Sequence, residues 1–254
     1  MRGKKGLLGT KLKDGNYLCG DCSAKMCYTP APFSGIEMHR KVNQSELTLD
    51  EYHDFVELRN RNLDELNEFN CTKSLCGNIQ IDEDAQEIIF IDNATFSNKE
   101  RLYEVNPPVF KIENMALART TNSEIQTGTT VTGKAKAECK VYLVAGFEDP
   151  VYDVIRIEIG KRKAKEGFLS DKVTESPDIE VLINTLSSML EWEMSISAGE
   201  DVVTPAASMD SFWKMVNRAK IYGYMSSDEI RECLKNYYGR DKATIREIRK
   251  LYDL

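Results

Sequence analysis

The stretch NIQIDEDAQEIIFI, residues 78–91, places β-favouring apolar side chains on either side of the acidic run Asp82-Glu83-Asp84. Two short β runs around a polar turn read as a hairpin, and here the apolar period changes from helical to strand-like. Downstream, VFKIENMALART (109–120), KAKAECKVYLVAGF (134–147) and DVIRIEIGK (153–161) each alternate or are rich in β-formers, with the polar loop TNSEIQTGTTVTG (121–133) among them. Roughly five or more short antiparallel strands in about 90 residues indicate a small barrel or curled sheet. A helix should follow, with Ser176 as N-cap, Pro177 at its first position and an apolar stripe of Ile179, Leu182, Ile183, Leu186, Met189 and Leu190. That helix is expected to close an open end of the sheet, so residues 77–196 read as one β domain with its closing helix.

Upstream, residues 45–70 read as an amphipathic helix. Thr48 and Glu51 form a capping box and Leu47 can staple onto Tyr52, ahead of a stripe of Tyr52, Phe55, Val56, Leu63, Leu66 and Phe69. Downstream, SAGEDVVTPAAS (197–208) lacks any period and reads as a linker. Three helices are expected after it. DSFWKMVNRAKIYG should end at Gly223, SSDEIRECLKNYYG should start on a Ser226–Glu229 capping box and end at Gly239, and DKATIREIRKLYDL adds the third. The tail, 210–254, is accordingly expected to be a separable docking element that a partner or self-association stabilises.

At 254 residues, with 41% hydrophobic and 30% charged side chains, the chain is an ordinary globular protein with ample material for a core. No run approaches the roughly 20 apolar residues of a membrane span, and MRGKKGLLGT lacks the apolar core of a secretory signal, so a cytoplasmic location is expected. The net charge of −7 is unevenly laid out: +5 over residues 1–41, −10 over 42–100 and +4 over 211–254. Overall acidity argues against a dedicated nucleic-acid binder, while basic ends around an acidic middle suggest separate modules.

Residues 1–33, glycine-rich and closed by TPAPF, read as a small knuckle that a metal or a neighbour must hold. Within it, YLCGDCSAKMC (17–27) carries Cys19 and Cys22 as a Cys-x-x-Cys pair. A tight turn lets both thiolates reach one ion, and zinc prefers a tetrahedron of such ligands, so these two cysteines are the candidate metal ligands and zinc the candidate cofactor. A redox role is less favoured, because that motif starts a helix after a buried strand and nothing before Tyr17 resembles one. Candidates for the missing ligands are Cys27, which reads better as a packed thiol, His39, and the pair Cys71 and Cys76. As given, with no cysteine before Cys19, the chain is expected to bind zinc weakly or not at all.

The run Gly6-Leu7-Leu8-Gly9, Lys11-Leu12-Lys13-Asp14-Gly15 and Cys19-Gly20-Asp21-Cys22 resembles a family of uncharacterised bacterial proteins that open with a four-cysteine zinc ribbon. In that family the first cysteine pair precedes a Gly-Lys-Lys-like segment, here Gly3-Lys4-Lys5, so the resemblance implies that the first pair is missing from this chain. The likeness continues through the Thr48 helix, FNCTKSLCG, the 79–90 hairpin, Asn106-Pro107-Pro108-Val109-Phe110 and VYDVIRIEI from residue 151. It implies a zinc ribbon joined to a PH-like β domain, an α+β protein, and it carries no activity. The tail is similar to short C-terminal helical pairs known as SHOCT domains.

No Gly-rich phosphate loop, Gly-x-Ser-x-Gly or His-Glu-x-x-His is present, and both histidines, His39 and His53, lie in polar or helical settings. The reading is therefore a non-enzymatic cytoplasmic binding or scaffolding protein, with a protein partner or self-association through the C-terminal helices. The alternative is a nucleic-acid-associated regulator using the basic knuckle and the basic tail, three helices that could form a helix-turn-helix.

Overall fold

The computed structural model describes residues 9–25, 35–122, 128–129, 135–136, 138–165, 168–175, 178–189 and 209–254. In chain order the elements are β1 (Thr10–Lys11), β2 (Tyr17–Leu18), α1 (Gly20–Ala24), β3 (Ile36–Arg40), α2 (Leu49–Glu68), β4 (Lys73–Leu75), β5 (Ile79–Asp82) and β6 (Glu87–Phe90). Then come α3 (Asn93–Phe96), α4 (Lys99–Val105), β7 (Phe110–Lys111), β8 (Ala116–Asn122), β9 (Gly128–Thr129), β10 (Ala135–Lys136) and β11 (Glu138–Gly146). The chain ends with β12 (Tyr152–Lys165), β13 (Phe168–Glu175), α5 (Asp178–Met189), α6 (Met209–Ile221), α7 (Ser227–Tyr238) and α8 (Lys242–Leu251). The protein is thus mixed α+β, and its paired strands of known direction are antiparallel. Among the described residues no sheet closes into a barrel. The chain divides into two compact units, Met1–Phe33 with Arg40–Phe110 and Asp149–Tyr152, and Ser34–His39 with Lys111–Glu148 and Asp153–Leu254.

In the first unit the expected hairpin is present as β5 and β6, paired Ile79↔Phe90 through Asp82↔Glu87 within the four-stranded order β4-β5-β6-β7. Ile79, Ile81, Ile88, Ile89, Phe90 and Ile91 are buried, which explains why an apolar run replaces clean alternation: both faces are covered. Asp82 is buried as well, and its carboxylate accepts the backbone N–H groups of Asn70, Asp84 and Ala85, which builds the turn. Helix α2 starts on the expected capping box, Thr48 with Glu51, and buries Tyr52 and Leu66. The stripe also contains Asn62, which sequence reading passed over. Its amide donates to Asn106 Oδ1 and Pro107 O at 2.7 and 2.8 Å and accepts from Val109 N–H at 2.8 Å. A buried amide this well satisfied ties the Asn106-Pro107-Pro108-Val109 segment to the helix.

In the second unit β8, β11, β12 and β13 lie side by side, and β3 also pairs with β12. The register Ala118↔Val144 and Val144↔Arg156 puts Ala116, Ala118, Tyr142, Val144, Gly146, Val154 and Arg156 on one face. Leu117, Val141, Leu143, Ala145, Ile155 and Ile157, on the other face, are buried too. Leu182 and Leu186 of α5 are buried as the stripe predicts, whereas Ser176, Pro177 and the 197–208 segment lie outside the described residues.

The three tail helices occur where the sequence places them, with the Ser226–Glu229 capping box formed and Gly223 and Gly239 at positive φ. The expectation of a separable tail is corrected. Ala116, Ala118, Val144 and Val154 of the sheet share one apolar cluster with Phe212, Trp213, Met215, Val216 and Ala219 of α6 and with Ile230, Cys233 and Leu234 of α7. Gly146 permits the approach, because a Cβ there would stand 2.4 Å from Met215 Cγ. The small core of the tail has thereby merged with that sheet face into one.

Candidate functional site

The knuckle folds back on the start of α2. Leu12 and Leu18 are buried, Lys13 N–H donates to Leu47 O at 2.9 Å, Leu49 N–H donates to Asp14 at 2.8 Å, and Tyr52 O–H donates to Cys22 O at 3.0 Å. Gln44 adds a contact from its short 3-10 turn, donating to Ser23 O at 2.8 Å and accepting from the Ser23 hydroxyl. These neighbours position Cys19 as the N-cap of α1, its Sγ accepting the Cys22 backbone N–H at 3.3 Å. A hydrogen bond with the Cys22 thiol, and then that backbone N–H, hold the Cys19 thiol below its ordinary pKa. The same thiol–thiol bond, followed by desolvation, raises that of Cys22. Cys19 of the pair is exposed and Cys22 is half-buried beside it.

The remaining ligand candidates do not join them among the described residues, where no group of three His, Cys, Asp or Glu gathers. Cys71 donates to Lys73 O and Gln80 Oε1 at 3.2 and 3.0 Å, and burial pushes its thiol up. Cys76 occupies the β4–β5 turn at φ 54°. His39, on β3, stacks on Tyr222 with ring centroids 3.5 Å apart. His53 is exposed on α2 and edge-on to Tyr52, and Cys27 lies outside the described residues. Ahead of α1 the chain forms the two-residue strand β2, with Tyr17 exposed and Leu18 buried.

A second locus lies on the tail. A groove of about 570 Å³ is lined by Asp210, Lys214, Arg218 and Ile221 of α6 together with Leu251 and Asp253 at the end of α8. Ile221 and Leu251 are 59% and 72% exposed, the two most exposed large apolar side chains among the described residues. Its floor is braced by Tyr252 O–H donating to Asp210 at 2.9 Å and Asn217 donating to Tyr252 O at 2.7 Å. One signal for this locus was present in the sequence: Leu251 falls off the Ile245, Ile248 and Tyr252 stripe that packs on the tail core.

Behind α6, the Arg156 guanidinium lies 3.7 Å from the Tyr142 ring centroid and 3.6 Å from Glu37, with Tyr224 at 5.8 Å. Tyr222 donates to Asp153 at 2.9 Å, and burial followed by that bond pushes its phenol up to about 12. Nothing in the sequence pattern announces this cluster, because its members come from β3, β11, β12 and the α6–α7 turn. No helix among the described residues is long and apolar enough to cross a membrane. In comparisons with protein-family models, curated proteins and solved structures, nothing matches this chain.

Proposed function

We propose that the chain is a non-enzymatic cytoplasmic binding or scaffolding protein whose strands form a PH-like frame and whose C-terminal, SHOCT-like helices dock a protein partner, a second copy of the chain being the partner to test first. The observation that supports this reading is the tail groove, which the exposed Ile221 and Leu251 line together with charges of both signs, Asp210 and Asp253 with Lys214 and Arg218. An apolar centre with a mixed rim is self-complementary, as a two-fold interface requires. In the same reading Cys19 and Cys22, as a zinc-ribbon half, supply two thiolates to zinc, with further ligands from elsewhere. Sedimentation equilibrium of the full chain tests the docking: reversible association should be present and should disappear in Ile221→Asp/Leu251→Asp with its melting curve unchanged. A wild-type chain that stays monomeric throughout the micromolar range would refute self-docking.

A further inference from the structure

The positive charges of the tail are not all alike. On α6 and α7, Lys214 pairs with Asp210, Arg218 with Asp153, Arg231 with Asp228 and Lys235 with Glu232. On α8, Lys242, Arg246, Arg249 and Lys250 are exposed, and among the described residues none pairs with an Asp or Glu side chain; Arg249 Nε–H donates to the main-chain oxygen of Leu254 at 3.3 Å. At 3.6 residues per turn these four side chains fall within an arc of about 100°, and they span about 12 Å of helix. Ile245, Ile248 and Tyr252 occupy another side of the helix and pack on the tail core, so the rotation of α8 is set and its basic face points away from that core.

The connection into α8 is short. Helix α7 ends at Tyr238, Gly239 takes φ 58°, and Asp241 caps α8 by accepting the N–H groups of Ala243 and Thr244 at 3.0 and 3.2 Å. Two helices joined by so tight a turn, the second carrying a one-sided cationic face, have the layout of a helix that enters a nucleic-acid groove. An anionic membrane suits it poorly, because an interfacial helix must bury its apolar face in lipid and here that face is engaged. Duplex RNA suits it poorly as well, since its major groove is too deep and narrow, whereas that of B-DNA is about 12 Å wide and admits a helix.

We propose that α8 docks duplex DNA through Lys242, Arg246, Arg249 and Lys250. This rests on the reading of the chain as a binding protein and adds the chemistry of a partner. Because the Asp241 carboxylate already satisfies the first N–H groups of the helix, the phosphates are met along the flank of α8 and not at its N-terminus. The chain's acidity is concentrated elsewhere, with −10 over residues 42–100.

The test is fluorescence anisotropy of the full chain with a mixed-sequence DNA duplex over a salt series. Four phosphate contacts predict a log–log salt slope of about −3.6, so raising salt fourfold should weaken binding roughly hundredfold. Arg246→Gln/Arg249→Gln should lose binding at low salt and flatten the slope to about −1.8. Lys235→Gln, which removes a cation already paired on α7, should leave the slope unchanged. Absence of duplex binding at low ionic strength, or binding that the double variant leaves intact, would overturn the proposal. So would equal or tighter binding to phosphatidylserine-containing vesicles. The double variant keeps Ile221 and Leu251, so loss of DNA binding with self-association intact removes no part of the docking reading. A monomeric chain that still binds duplex would defeat self-docking alone.

Discussion

The knuckle at one end of the chain and the tail at the other are both short segments that sequence reading expects to need outside support, and they are supported by opposite means. Among its described residues the knuckle is fastened by polar anchors on the N-terminal part of α2, Tyr52 to Cys22 O, Asp14 to Leu49 N–H and Gln44 to Ser23, with Leu12 and Leu18 the large apolar side chains it buries. The tail is fastened by mass. Phe212, Trp213, Met215 and Val216 enter the same apolar cluster as Val144 and Val154, and Trp213 Nε1–H finds the Tyr238 hydroxyl at 3.0 Å. Net hydrogen bonds are worth about 1 kcal/mol each, whereas a buried large side chain is worth several times that, so the two attachments should fail under different insults.

The largest effect is therefore expected in the tail. Trp213→Ala removes the largest fully buried side chain among the described residues and should cost about 3–5 kcal/mol, lowering the melting of the β8–β11–β12 sheet together with that of the helices. Hydrogen exchange at Val144 and Val154 amides reports it. Unchanged protection there, with α6 alone unfolded, would restore the separable tail and dissolve the contrast.

A smaller effect is expected at the knuckle. Tyr52→Phe deletes the donor to Cys22 O and should cost about 1 kcal/mol. Because that hydroxyl ties Cys22 O to α2, and its removal leaves Cys22 O with the Lys25 N–H within the knuckle, the loosened knuckle should also expose the Cys22 thiol, read as faster alkylation of Cys22 relative to Cys19. Equal alkylation ratios in the wild type and the variant would show that the Tyr52 hydroxyl is not what holds Cys22 in place.

The smallest effect is one of pH. Tyr222 and Tyr224 each have their phenol pushed up to about 12, by burial first and then by Asp153 and Glu37 respectively. A folded value above the unfolded one, near 10, means that the neutral phenols contribute stability that is present below pH 10 and is lost as pH rises from about 10 to 12. Thermal melts over that window should fall more steeply for the wild type than for Tyr222→Phe. Parallel curves would mean that the tyrosines of the α6–α7 turn do not couple tail docking to their own ionisation.

Local instructions were the legible part. The hairpin 79–90, the capping boxes at Thr48 and Ser226, the glycine stops at 223 and 239, and the amphipathic α2 are each written within a few residues, because caps, turns and helical periods involve neighbours in the chain. The Cys-x-x-Cys pair was legible for the same reason: Cys19 Sγ meets Cys22 N–H within one turn. What the tertiary structure alone decided is which apolar stripes face one another. The pattern of α6 says only that Phe212, Trp213 and Val216 need a core. That the core is the β8–β11–β12 face depends on Gly146, whose missing side chain admits Met215, and no period in the sequence marks that glycine. The fate of Asn62, an amide in an apolar stripe, likewise became intelligible only once Asn106, Pro107 and Val109 were brought to it from more than forty residues away. Sequence records a group's local needs, and packing between distant segments decides what meets them.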